Sequence, residues 1–226
     1  MFGELLIMTN PVSPPPGASV AHQGEGRKLH APSAEKNKHH IADRLVTLPL
    51  QSSNALEIAS GTGEHVVHFA EHLPHITWQP TDIVEERIES IKAWSKDSSC
   101  TNIKSPRFLN VGNVGWSTDF QPQGLVVVIN LLHLISDRVL EILFKEVQKT
   151  LKPEGFFAIY GPFLRESQHT SPGDKNFDEK IRQTDPNLGY KNDETVTLLA
   201  RKHGLSLFAK YEMPANNLMF IFQKDL

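Results

Sequence analysis

The chain predicts an α/β domain whose sheet is doubly wound and mostly parallel. Three observations predict it. Apolar runs of strand length alternate with amphipathic helical stretches through most of the 226 residues, and such alternation requires crossover connections. One run, Leu125-Val126-Val127-Val128-Ile129, is apolar at every position, the pattern of a strand covered on both faces. A turn bearing two glycines, Ala59-Ser60-Gly61-Thr62-Gly63, directly follows a strand that carries Glu57. Glycine permits positive φ there and lets a ligand approach the backbone without a Cβ in the way.

The elements follow in order. Residues 9–28, the greater part of an expected tail over 1–28, include Pro11, Pro14, Pro15, Pro16, Gly17, Gly24 and Gly26 and almost no large apolar groups. Such a stretch buries too little surface to offset its ordering entropy, so a mobile tail is expected before a single domain over 29–226. A helix is expected over 34–48, with Ile41, Leu45 and Leu48 along one face and Pro49 beyond its end. A strand over 55–59, a helix over 64–73, a strand over 76–82 and a helix over 84–96 come next. Strands are then expected over 107–111 and 125–130, a helix over 137–151 and a strand over 156–160. A long loop rich in Pro, Gly and polar residues precedes a helix over 193–203. The last two strands, 205–213 and 218–223, are joined by only Pro214-Ala215-Asn216-Asn217, so that pair is antiparallel.

Composition removes several function classes. With 39% apolar and 22% charged residues the chain is ordinary for a globular protein, and a net charge of −3 without a Lys/Arg run gives no general attraction to nucleic acid or to an anionic membrane. No apolar run approaches the ~20 residues of a membrane helix, and Leu5-Leu6-Ile7-Met8 is too short for a signal-peptide core. Cys100 is the single cysteine, so no intrachain disulfide forms, which suits a reducing compartment. A cytoplasmic protein is expected.

The glycine turn admits two cofactor classes. A dinucleotide fold wants a third glycine where Val66 stands. The S-adenosylmethionine methyltransferases place an acid before small-x-Gly-x-Gly and a second acid at the end of the next strand. Glu57-x-Ala59-x-Gly61-x-Gly63 with Asp82 fits that second pattern, and an acid at Asp82 can accept both ribose hydroxyls of an adenosine group. The structural alternatives are a tight turn without a ligand, Glu57 bonding loop N–H groups, and Asp82 as a helix N-cap.

The chain also resembles a little-characterised, domain-of-unknown-function family of small methyltransferase-like proteins. The resemblance rests on Ala34-Glu35-Lys36-Asn37-Lys38, Ala59-Ser60-Gly61-Thr62-Gly63-Glu64-His65, Trp78-Gln79-Pro80-Thr81-Asp82, Ile129-Asn130-Leu131-Leu132-His133, Tyr160-Gly161-Pro162-Phe163 and Met213-Pro214-Ala215-Asn216-Asn217. It implies a class I methyltransferase fold of seven strands. It also implies that Glu57, Ala59, Gly61 and Gly63 surround the methionine part of S-adenosyl-L-methionine, with His65 beside the turn and Asp82 on the ribose. Ile83 and Val111 would sandwich the adenine, Asn110 would read its edge, and Asn130 would lie beside the sulfonium. Glu35 and Asn37 are expected to fold over the cofactor or substrate. Asn110 stands where the family has Asp, and Leu188 and Lys191 stand where it has Trp and Arg.

His133 and Tyr160 are the candidate catalytic groups, one titrating near neutral pH, the other ending a strand at the same rim. No Asn-Pro-Pro-aromatic sequence follows Asn130, which favours a small-molecule acceptor; the alternative function is a catalytically silent S-adenosylmethionine-binding or scaffold protein. His65, His68 and His72 share one side of a helix but show no evident carboxylate or cysteine partner, so no metal is expected.

Overall fold

The computed structural model describes residues 20–51 and 53–226. Residues 1–19 of the expected tail lie outside them. The rest of that segment folds: β1 (His22–Gln23) pairs antiparallel with β2 (Leu29–His30). Two contacts fix this hairpin to the body. Ser90 Oγ accepts the N–H of Leu29 at 2.8 Å, and Trp94 Nε1 donates to the Leu29 carbonyl at 2.9 Å.

α1 (Pro32–Leu45) begins two residues before the expected start, because a proline in the first helical turn lacks an N–H that would be unpaired there anyway. β3 (Ser53–Ile58), α2 (Glu64–His72), β4 (Ile76–Asp82), α3 (Glu85–Asp97) and β5 (Arg107–Phe108) follow. β5 is shorter than the strand expected over 107–111. Asn110 ends it: its side-chain Oδ1 accepts the Gly112 N–H at 2.9 Å and its carbonyl accepts the Asn113 N–H at 3.1 Å. A side chain that bonds its own backbone two residues on makes a turn.

β6 (Gln123–Ile129), α4 (Asp137–Thr150) and β7 (Leu151–Leu164) come next. The expected long loop then contains a helix, α5 (Pro172–Thr184), and a short strand, β8 (Lys191–Asn192). α5 starts where Ser171 Oγ accepts the Asp174 N–H, an N-cap followed by proline. α6 (Asp193–Lys202), β9 (Leu205–Glu212) and β10 (Asn217–Lys224) complete the chain.

The sheet runs β5-β4-β3-β6-β7-β10-β9, with β8 beside β7. β5, β4, β3, β6 and β7 are parallel, while β10 is antiparallel to both β7 and β9. The expected fold class is therefore the observed one. Two buried clusters lie on the two faces of the sheet, and the period of two along β6 divides them. Leu125, Val127 and Ile129 join Ile41 and Leu45 of α1 and Val66 and Phe69 of α2. Val126 and Val128 join Leu140, Leu143 and Val147 of α4 and Val196 of α6. Each such buried aliphatic side chain contributes roughly 1.5–3 kcal/mol. No helix among the described residues is long and apolar enough to cross a membrane.

The chain runs outward from β3 through β4 to β5, then crosses back to β6 on the other side of β3. At such a switch point the loops at the carboxyl ends of the strands part and leave a crevice.

Candidate functional site

A cavity of about 580 Å³ opens at that crevice. The end of β3 supplies Glu57, and the turn supplies Ala59, Ser60, Gly61 and Thr62. The turn is built on positive φ at Ala59 (56°), Gly61 (59°) and Gly63 (96°). Ala59 holds the left-handed conformation with a Cβ, which costs about 1–2 kcal/mol.

The two glycines serve different ends. A Cβ on Gly61 would meet nothing within 4 Å, so that residue faces open space. A Cβ on Gly63 would come within 2.9 Å of the Ile91 Cα, so Gly63 lets α3 pack against the turn and does not line the cavity.

Hydrogen bonds brace the turn from behind. The Ser60 N–H donates to the Thr81 carbonyl at 2.7 Å, and Ser90 Oγ donates to the Thr62 carbonyl at 2.6 Å. Glu64 Oε2 accepts from Thr62 Oγ1 at 2.7 Å and from the Ala31 N–H at 2.8 Å, which fastens the start of α1 to the turn. Pro32, Ser33 and Ala34 consequently line the cavity.

Asp82, at the end of β4, is buried and engaged on both oxygens. Oδ2 accepts the Gly61 N–H at 2.9 Å, and Oδ1 accepts those of Ile83 and Val84 at 2.8 and 3.0 Å. Burial pushes its carboxyl upward, opposed by the Val84 N–H and the Arg87 guanidinium. Arg87 Nη1 lies 4.0 Å from Oδ2 and lines the cavity.

Glu57 differs. It is 1% exposed, and its Oε2 has no hydrogen-bond partner among the described residues. Burial, opposed by Ser60 and reinforced by the nearby Asp82 charge, raises its pKa to about 8.

His65 Nε2 lies 2.7 Å from Asn37 Oδ1. An amide oxygen only accepts, so the imidazole carries its proton on Nε2. Burial first, then the charges of His68 and Lys38, lower its pKa to about 3 and keep it neutral. The Asn37 side chain also hydrogen-bonds the Tyr160 hydroxyl, which accepts from Asn217 Nδ2 at 3.0 Å. His65 and Asn217 line the cavity, while Asn37 and Tyr160 stand behind them.

The far half is built from β6, β7 and the α5 region: Asn130, Leu131, His133, Pro162, Asp174, Phe177 and Tyr190. Asn130 is left-handed, with φ 54°, which asparagine tolerates. His133 sits in a single 3-10 turn, Leu132–Leu134, and is 3% exposed. Its ring lies 5.9 Å from that of Phe177 and 6.1 Å from that of Tyr190. Burial lowers its pKa to about 4, with Asp178 raising and Lys191 lowering it, so the ring is neutral near pH 7. α5 is held over this half by Asp178, which accepts from the Tyr190 N–H at 2.6 Å, His169 Nε2 at 2.9 Å and Arg182 Nε at 3.0 Å.

Of the residues singled out in the sequence, Glu57, Ala59, Gly61, His65, Asp82, Ile83, Asn130 and His133 meet around one cavity. Asn37 and Tyr160 join them through the amide network. Glu35 is exposed and bonds Lys38 at 2.6 Å, away from the cavity. Val111 is buried in the core, and Asn110 spends its oxygen on its own turn; neither lines the cavity. Sequence reasoning missed Arg87, Asp174, Phe177 and Tyr190. A signal for Asp174 and Phe177 was present, since Ser171-Pro172 opens a helix and Phe177 and Ile181 stand four apart; Tyr190 lies beyond that helix.

The fold is that of the class I methyltransferases. An O-methyltransferase family protein from Burkholderia thailandensis superimposes with a TM-score of 0.71 at 14% identity, over 85% of this chain and 56% of that one. Human N-acetylserotonin methyltransferase, solved in complex with S-adenosylmethionine, gives 0.70 at 15% identity over 86% and 53%. The chain thus spans little more than half the length of these two proteins. YcgJ from Bacillus subtilis gives 0.65 at 13% identity over 83% of this chain and 99% of that one. Residues 28–224 match the family described as proteins of unknown function, DUF938, and the chain belongs to that family.

Proposed function

We propose that this protein is an S-adenosylmethionine-dependent methyltransferase acting on a small-molecule acceptor. The observation that carries this reading is the buried oxygen of cavity-lining Glu57, which has no hydrogen-bond partner among the described residues, beside an open Gly61. A buried carboxyl left in that state is costly unless something joins it, and the ammonium of the methionine moiety is a fitting partner. The cradle at Gly61 admits the chain of that moiety against the backbone. Asp82 and Arg87 stand at the adenosine end, where Ile83 offers an apolar face.

S-adenosylmethionine, when bound, supplies an electrophilic methyl group that carries its own leaving group. The chain then has to align the acceptor and keep water out. Phe177, Tyr190 and His133 form aromatic walls suited to a small planar acceptor. His133, neutral in its buried turn, accepts the acceptor's proton. Asn130 lies between the two halves. Tyr160 and Asn37 position His65 and Asn217 from behind.

Calorimetric titration with S-adenosylmethionine and S-adenosylhomocysteine tests the reading. Both are expected to bind at one site, with the affinity reduced at least tenfold in Glu57→Ala. Binding of neither ligand overturns the proposal.

A further inference from the structure

α2 carries a second constellation, on the side turned toward α1. His68, Glu71 and His72 stand at i, i+3 and i+4, so they share one helical face. One donor atom from each lies within 4.8 Å of the others. The His39 ring of α1 meets that of His68 edge-on at 4.4 Å, and the His68 and His72 rings lie 4.1 Å apart.

Two details point to a ligand. His68 is 7% exposed, yet its Nε2 has no hydrogen-bond partner among the described residues. His72 Nδ1 lies 2.8 Å from the His68 carbonyl, which only accepts. Nδ1 of His72 is therefore the donor in that bond, and Nε2 is the ring nitrogen left to face a ligand. A backbone carbonyl on the other ring nitrogen is how proteins commonly orient a ligating histidine. Glu71 supplies the carboxylate that a reading of His65, His68 and His72 alone leaves out, and His65 is already committed to Asn37.

We propose that His68, Glu71 and His72 form a site for a divalent transition-metal cation of the zinc type. Two imidazoles and a carboxylate are a typical three-residue set for such an ion. Tetrahedral donors around zinc lie about 3.3 Å apart for bonds of about 2.0 Å. Glu71 and His72 are exposed, so rotation of their side chains closes the remaining gap. Bound there, the cation braces the helix whose first turn lines the cavity.

The test uses protein without a histidine tag, stripped with a chelator and titrated with Zn2+ and with Co2+ as a coloured substitute. One equivalent is expected to bind per chain, Co2+ developing visible absorption bands. His72→Gln and Glu71→Gln, both at exposed positions, are each expected to weaken binding at least tenfold. His40→Gln and His75→Gln, on the neighbouring surface, are expected to leave it unchanged. Absence of binding at micromolar free zinc overturns the proposal. So does a His72→Gln variant that binds like the parent, or an equal loss in His40→Gln.

Discussion

Asp82 accepts the Gly61 N–H at 2.9 Å, a side-chain bond that ties the end of the second parallel strand to the turn after the first. With the Ile83 and Val84 N–H groups on its other oxygen, the carboxylate arranges three backbone donors before any ligand arrives. Asp82→Ala leaves all three unpaired. The expected cost is about 1–3 kcal/mol of stability, read from urea denaturation, together with at least a tenfold loss of S-adenosylmethionine affinity in calorimetry. Unchanged affinity in a folded variant contradicts the assignment of this turn.

Glu57 makes stability depend on pH in a defined window. Its carboxyl holds a proton up to about pH 8 in the fold and loses it near 4.5 when unfolded. Between those values the folded state binds more protons, so this group's contribution falls as pH rises, by up to about 1.4 kcal/mol per unit. Glu57→Gln removes that slope. Melting curves of the two proteins should diverge progressively from pH 5 to pH 8, the variant gaining on the parent. Parallel curves across the window refute the assignment.

His133 acts in the opposite sense. Its ring titrates at about 4 in the fold against 6.5 in the free side chain. The stability it carries is therefore present above pH 6.5 and lost as pH falls toward 4. His133→Asn should flatten the acid limb of the stability curve by up to one proton, leaving the share due to His65 and His68. Turnover of an accepted substrate should fall by about 10²–10⁴ if this ring takes the proton, while S-adenosylmethionine affinity changes little. Full turnover in His133→Asn removes it from the chemistry.

Asp178 links α5 to Tyr190, His169 and Arg182. Asp178→Ala should loosen that helix without touching the glycine turn. The expected result is faster proteolytic cleavage within 165–190 and a raised KM for acceptor, with S-adenosylmethionine binding retained. A protease pattern identical to the parent's shows that the helix is held by other contacts.

Much of the architecture is legible in local pattern, because strand and helix periods are properties of neighbouring residues. The unbroken run Leu125–Ile129 marks a central strand, and its period of two assigns alternate residues to the two clusters. α5 is masked by Gly173 and by a polar composition that reads as loop, although Ser171-Pro172 marks its start. The Asn37–His65 pair joins side chains 28 positions apart, and no local signal reports it. Gly63 is instructive in another way. Its residue type is legible, but the cause is the Ile91 backbone behind it and not a ligand in front.

Val20, the first described residue, borders the cavity mouth and is 53% exposed, whereas Leu226 is fully exposed after β10. β10 begins with Asn217 at the cavity rim and runs away from it. A bulky side chain in place of Val20 therefore narrows the gateway and competes for room with incoming molecules. A handle for purification or immobilisation attached after Leu226 leaves that passage clear.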